Sequence, residues 1–101
     1  MNSIKSVVFS GSVTPNTTRY WFYYAKNLDS FYWDSFNFSQ VTDMRSMFDS
    51  CNNATFAEIR TGNNVTNMEY AFENCQNITA QPVCGPNVKN LIYTYSNCLR
   101  L

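Results

Sequence analysis

Histidine is absent from the 101 residues. That removes the commonest general base and the commonest ligand for transition metals. No apolar run reaches the roughly 18 residues that a helix needs to cross a bilayer. Charge is scarce: Asp, Glu, Lys and Arg make up 14% of the chain and sum to a formal net charge of zero. With no basic stripe, binding to nucleic acid or to an anionic membrane has no electrostatic driving force. A neutral chain also repels its own copies weakly, which tolerates assembly. Residues Met1 to Phe9 lack the long apolar stretch and small-residue cleavage site of a secretory signal, so no signal peptide is expected. Paired catalytic acids, a phosphate-cradling glycine loop and a nucleophile–base pair are all missing from the pattern. No enzyme activity and no cofactor are therefore expected.

What the chain does have is aromatic side chains, at 17%, within an apolar content of 45%. That is enough apolar surface to offset chain entropy, so an ordered single domain is expected over 1–101.

The dominant signal is internal repetition. The run Val41, Thr42, Asp43, Met44, Met47, Phe48, Cys51, Asn53 returns as Val65, Thr66, Asn67, Met68, Ala71, Phe72, Cys75, Asn77. It returns again, weaker, as Val88, Lys89, Asn90, Leu91, Thr94, Tyr95, Cys98. An earlier copy lacks the cysteine: Pro15, Asn16, Trp21, Phe22 and Ala25 fill its positions. From Ala25 to Cys51, Cys75 and Cys98 the spacings are 26, 24 and 23 residues. Such a period marks units that stack to share one core. The boundaries are a lead-in strand at 1–14 and repeats at about 15–40, 41–64, 65–87 and 88–101.

Within each repeat, positions such as Met44, Met47, Phe48 and Cys51 fall at the i, i+3, i+4, i+7 spacing of one helix face. Thr42 and Thr66 stand where helix N-caps belong, and Glu69 completes a capping box with Thr66. Apolar residues alternate afterwards: Leu28, Phe31, Trp33 and Phe36 in the first repeat, Ala54, Ala57 and Ile59 in the second, Ile78 and Val83 in the third. Met1, Ile4, Val7 and Phe9 precede them in the same register. Turns are expected at 10–12, 61–64 and 84–87. The predicted fold class is therefore α/β: a short leucine-rich-repeat-like solenoid with parallel strands on one face and short helices on the other.

The pattern Val-Thr-(Asp/Asn)-Met-x-x-(Met/Ala)-Phe-x-x-Cys-x-Asn resembles the BspA-type leucine-rich repeat. Val41 to Phe56 and Val65 to Thr79 match closely. Pro15 to Phe36 lacks the Cys, and Val88 to Leu101 has Lys89 in place of the cap Thr. The resemblance implies a curved, non-enzymatic interaction or adhesion module that binds a protein or glycan on another surface. It implies an extracellular, cell-surface or virion location, with a small structural or receptor-binding component of a phage virion or appendage as the alternative.

On the strand face, Val8, Tyr32, Glu58 and Pro82 should share one exposed row, with Asp34 and Arg60 in the next and Phe56 alongside. Aromatic residues and Arg dominate binding hot spots. Tyr32, Asp34, Phe56, Glu58 and Arg60 are accordingly the candidate partner-binding residues. Cys51, Cys75 and Cys98 should form a buried ladder of free thiols. Cys84, in a turn, should be the exposed one; no Cys-x-x-Cys pair suggests a metal. Of the five aromatics Tyr20 to Tyr24, Trp21 and Phe22 should face the core and Tyr20, Tyr23 and Tyr24 should be partly exposed. Asn16, Asn37, Asn53, Asn64 and Asn77 head formal glycosylation sequons that arise from the repeat's own turn chemistry. The strand carrying Gln81 and Val83 has no successor, so it should be an open edge through which the chain assembles.

Overall fold

Each repeat opens with a short polar side chain that folds back onto its own backbone. Asp43 Oδ1 accepts the Arg45 N–H at 2.9 Å, Asn67 Oδ1 the Glu69 N–H at 2.8 Å, and Asn90 Oδ1 the Ile92 N–H at 3.0 Å. Thr17 Oγ1 serves Arg19 in the first repeat at 3.2 Å. These local bonds start a run of turns. The computed structural model from which they are read describes residues 4–7, 13–33, 36–56 and 58–101.

The turns replace the expected helices. Among the described residues there is no helix, and the only strands are β1 (Ser6–Val7) and β2 (Ser30–Phe31). The α/β leucine-rich-repeat-like solenoid is therefore overturned. In the second repeat the N–H groups of Met47, Asp49 and Cys51 bond the carbonyls of Met44, Ser46 and Phe48, three residues back. The alternate N–H groups leave the repeat altogether. Those of Met44, Ser46, Phe48 and Ser50 bond the carbonyls of Asn67, Glu69, Ala71 and Glu73 in the next repeat, at 2.7–2.9 Å. A helix would need those donors for carbonyls four residues back. Here they serve as rungs between neighbours. The same ladder joins the first repeat to the second and the third to the last.

Turning the chain this way requires a left-handed residue twice per repeat: Tyr20 and Tyr24, Ser46 and Ser50, Tyr70 and Asn74, Tyr93 and Asn97, all with φ between 53° and 63°. None is glycine. Each sits at the third position of a turn, where a positive φ costs a side-chain-bearing residue about 1–2 kcal/mol. The apolar spacing that suggests a helix survives because the turn run keeps the same slots inward. Met44, Met47, Phe48, Cys51, Met68, Ala71, Phe72 and Cys75 are all fully buried. The capping box is absent as well. Thr66 Oγ1 donates to Thr42 O one repeat away, and the Glu69 carboxylate accepts the Asn90 amide at 2.9 Å.

β1 and β2 pair in parallel, Ser6 with Ser30 and Val7 with Phe31, so the lead-in does lie beside the first repeat. Among the described residues, further pairing is limited to isolated parallel bridges: Val13–Phe36, Thr17–Asp43, Asp43–Asn67 and Asn67–Asn90. The expected sheet does not extend, because the segments that would form it differ in length. From Ala25 to Val41 the chain advances 16 residues, from Cys51 to Val65 it advances 14, and from Cys75 to Val88 it advances 13. Equal registers cannot be kept across unequal segments. The result is a globule of 32 × 28 × 21 Å with a radius of gyration of 12.2 Å, close to the roughly 13 Å of a compact 100-residue domain and not an extended arc.

Rings hold its centre. Phe22, Phe48, Phe72 and Tyr95 stack one per repeat, with centroids 5.5, 5.4 and 5.4 Å apart. Phe31, Trp33 and Phe56 meet Phe48 from the other side at 5.2, 6.0 and 5.0 Å. At the corner, backbones touch. A side chain on Gly62 would come within 2.6 Å of Phe38 O, and one on Gly85 within 2.6 Å of Gly62 O. The turns expected there are present at 63–64 and 86–87, while the one at 10–12 lies outside the described residues, as do Met1, Val8, Phe9, Asp34 and Ala57.

Candidate interaction face

The segments 28–33 and 54–56 run side by side, tied by the Thr55 N–H on Asp29 O at 3.0 Å, with 58–60 continuing beyond. Between them lies an open cleft of about 320 Å³, whose lining includes Asp29, Tyr32, Trp33, Thr55, Phe56 and Glu58. Alternation explains the two sides: Phe31 and Trp33 turn into the core, which leaves Tyr32 between them 54% exposed. Glu58 and Arg60 are both on the surface, where a guanidinium nitrogen lies 3.1 Å from the Glu58 carboxylate.

Of the five candidate residues, Tyr32, Glu58 and Arg60 are displayed. Phe56 is not: it is 4% exposed and packs on Phe48, so it shapes the floor of the cleft and is not offered to a partner as a free side chain. Asp34 lies outside the described residues. The alternation that would set Phe56 on the outer face fails because its ring completes the cluster around Phe48.

Two of the three repeat thiols are buried as expected, and the third, Cys98, is only partly so. Cys51 and Cys75 are buried, Cys98 is half-buried, Cys84 is exposed, and all four are free. Each ladder thiol donates to a carbonyl one repeat earlier: Cys51 to Phe22 O at 3.2 Å, Cys75 to Phe48 O and Cys98 to Phe72 O at 3.1 Å. Burial pushes the Cys51 thiol up to about 12 and Cys98 up to about 11, and raises Cys75 well above its ordinary value. These thiols are poor nucleophiles, since the thiolate is the reactive form.

On the outer side of the turn ladder, Asp49 is buried and accepts the Ser50 hydroxyl at 2.9 Å. Burial raises its pKa, against the opposing pull of the Ser50 and Ser46 hydroxyls. Glu73, one repeat on, is raised by burial and by the Asp49 charge. Among the described residues no three Cys, Asp or Glu side chains converge to hold a metal, and no helix is long and apolar enough to cross a membrane.

The run of five aromatics divides as expected. Phe22 is in the core and Trp21 packs against it, while Tyr20, Tyr23 and Tyr24 are 44%, 40% and 45% exposed.

The expected open edge at Gln81 and Val83 is altered by the hydroxyl of Tyr95. Tyr95 takes the slot held by Phe48 and Phe72, and its extra hydroxyl reaches back into the preceding repeat. It accepts the Val83 N–H at 3.0 Å and donates to Val83 O at 2.9 Å. Both ladder groups of Val83 are thereby satisfied, and the segment is not a strand. The one sequence signal was the tyrosine in a phenylalanine slot.

No protein-family model, no curated protein and no solved structure matches the chain.

Proposed function

We propose that this chain is a non-catalytic interaction module that recognises a protein or glycan on another surface through the face formed by 29–33, Thr55, Phe56 and Glu58. The observation that carries this reading is the cleft bordered by Asp29, Tyr32 and Glu58 over a floor that includes Trp33 and Phe56. An exposed aromatic ring flanked by carboxylates can stack on a sugar ring or an apolar side chain while accepting hydrogen bonds from hydroxyl or ammonium groups. The rigid aromatic cluster beneath means that little ordering entropy is lost on binding. The resemblance of the repeat to the BspA-type unit supports an extracellular, cell-surface or virion setting.

The test is binding of the purified chain to immobilised glycans and extracellular-matrix proteins. Tyr32→Ala should weaken any positive interaction by about tenfold or more, the effect of losing a hot-spot aromatic, with an unchanged unfolding midpoint. Equal binding by Tyr32→Ala, or turnover of a bound substrate, would overturn the reading.

A second reading, a structural or receptor-binding subunit of a virion or surface appendage, draws on the last repeat, where Leu91, Ile92, Tyr93 and Leu99 are 49–70% exposed. Its mark would be a fixed stoichiometry in a purified particle.

A further inference from the structure

The ladder between repeats has a direction. Along the run of turns the alternate-residue rungs go from an N–H of one repeat to a carbonyl of the next, while the bonds at each repeat's entry, from the N–H groups of Thr42, Thr66 and Lys89 to Asn16 O, Thr42 O and Thr66 O, go the other way. In the last repeat the equivalent donors are Leu91, Tyr93, Tyr95 and Asn97, and their N–H groups have no partner. In the first repeat the equivalent acceptors are the carbonyls of Thr17, Arg19, Trp21 and Tyr23, and they have none either. One end of the molecule therefore presents four unmatched donors and the other four unmatched acceptors, at the same alternate-residue spacing. A bare row of this kind is a template for pairing.

The two ends are also complementary in shape. At the first repeat the described lead-in residues supply a strand, β1, which pairs with β2. At the last repeat, residues 90–96 supply a turn run joined to 68–74 by the ladder. The apolar slots that are fully buried in the middle as Met44 and Met68, and as Ala54 and Ile78, are half-exposed at this end as Leu91 (49%) and Leu101 (46%).

We propose that these ends join head to tail: the last repeat of one copy receives the first repeat of a second copy. Leu91, Tyr93, Tyr95 and Asn97 then donate to Thr17, Arg19, Trp21 and Tyr23 of that copy, and its β1 lies in the same layer as 88–101. Tyr95 extends the column of rings toward Phe22 of the second copy. The contact is heterologous, because two different surfaces meet, so it leaves a free donor end and a free acceptor end and propagates. The cleft lined by 29–33, Thr55, Phe56 and Glu58 lies within a single copy and forms no part of the contact, so this inference and the proposed function fail independently.

Sedimentation across a wide concentration range tests the assembly. The mass of the chain should climb from 11.7 kDa through and beyond the dimer. Leu91→Asp, which puts a carboxylate into the exposed apolar slot, should hold it at the monomer without altering its circular dichroism. Crosslinking tests the register. In a Cys84→Ser background, Ser96→Cys and Tyr23→Cys are prepared as separate proteins. The ladder would set these positions about 5 Å apart across the contact, within reach of a disulfide. On mild oxidation the mixture should give the 96–23 heterodimer at least about tenfold faster than either variant gives a homodimer. A mass fixed at the monomer at every concentration would overturn the proposal. So would 96–96 or 23–23 homodimers forming as fast as the mixed species, which would signify a two-fold contact instead.

Discussion

The turn side and the strand side of this molecule are built from the same repeats and obey different rules. On the turn side, Pro15 to Ala25, Val41 to Cys51, Val65 to Cys75 and Val88 to Cys98 each span ten steps, and a hydrogen-bond ladder connects all four. On the strand side the connecting segments shorten from one repeat to the next, and pairing among the described residues dwindles to two residues per strand plus the isolated bridge Val13–Phe36. Sequence repetition is tight where backbone must meet backbone in register. It is loose where side chains alone fill the space. The strand side compensates with bulk: Phe31, Trp33 and Phe56 crowd against Phe48.

That contrast can be broken most severely where the two sides meet. Phe48 is fully buried between Phe22 and Phe72 and touches the strand-side rings. Phe48→Ala should destabilise the fold by about 3–5 kcal/mol in denaturant unfolding. The backbone rule of the turn side is tested at Asn74, whose φ is 61°. Asn74→Val should cost about 1–2 kcal/mol more than Asn74→Gly, since both lose the amide and only valine meets the left-handed penalty. A smaller effect tests the link between the sides at the last repeat. Tyr95→Phe removes both hydroxyl bonds to Val83 and should cost about 1 kcal/mol, with faster amide exchange at Val83.

Charge gives a subtler probe. Burial raises the pKa of Asp49 in the folded protein, so the folded state holds that proton more tightly than the unfolded state does. The associated stability is lost as pH rises through the folded pKa and gained as pH falls toward the ordinary carboxylate value. Glu73 acts in the same sense. The thermal midpoint should therefore rise modestly on mild acidification from neutral pH, and Asp49→Asn should flatten that rise. Smallest of all, Tyr32→Ala on the exposed strand-side face should leave stability within about 0.5 kcal/mol of the parent, which is what makes it a clean reporter of binding.

The repeat itself, its inward slots, the free thiols and the split of the aromatic run were legible in the sequence, because each depends on which side chains recur. The helices were misread for a physical reason. Met44, Met47, Phe48 and Cys51 satisfy the spacing of a helix face, but spacing records only which residues point inward, not where the intervening N–H groups go. The recurring Asp43, Asn67 and Asn90 held a better clue, since short polar residues that bond their own backbone two positions on favour turns over helices. The candidate face was partly legible. Alternation places Tyr32 outward, whereas Phe56 escapes alternation because a ring cluster recruits it. The hydroxyl cap from Tyr95 depends on contact between repeats that no local pattern encodes.

The shared direction of the rungs along the turn run gives the protein a polarity like that of an arrow. Deleting or inserting a whole period, such as 65–87, would shorten or lengthen the shaft while preserving the chemistry of tip and tail. Evolution could therefore adjust the reach of such a molecule in steps of one unit, with no new interface to invent at either extremity.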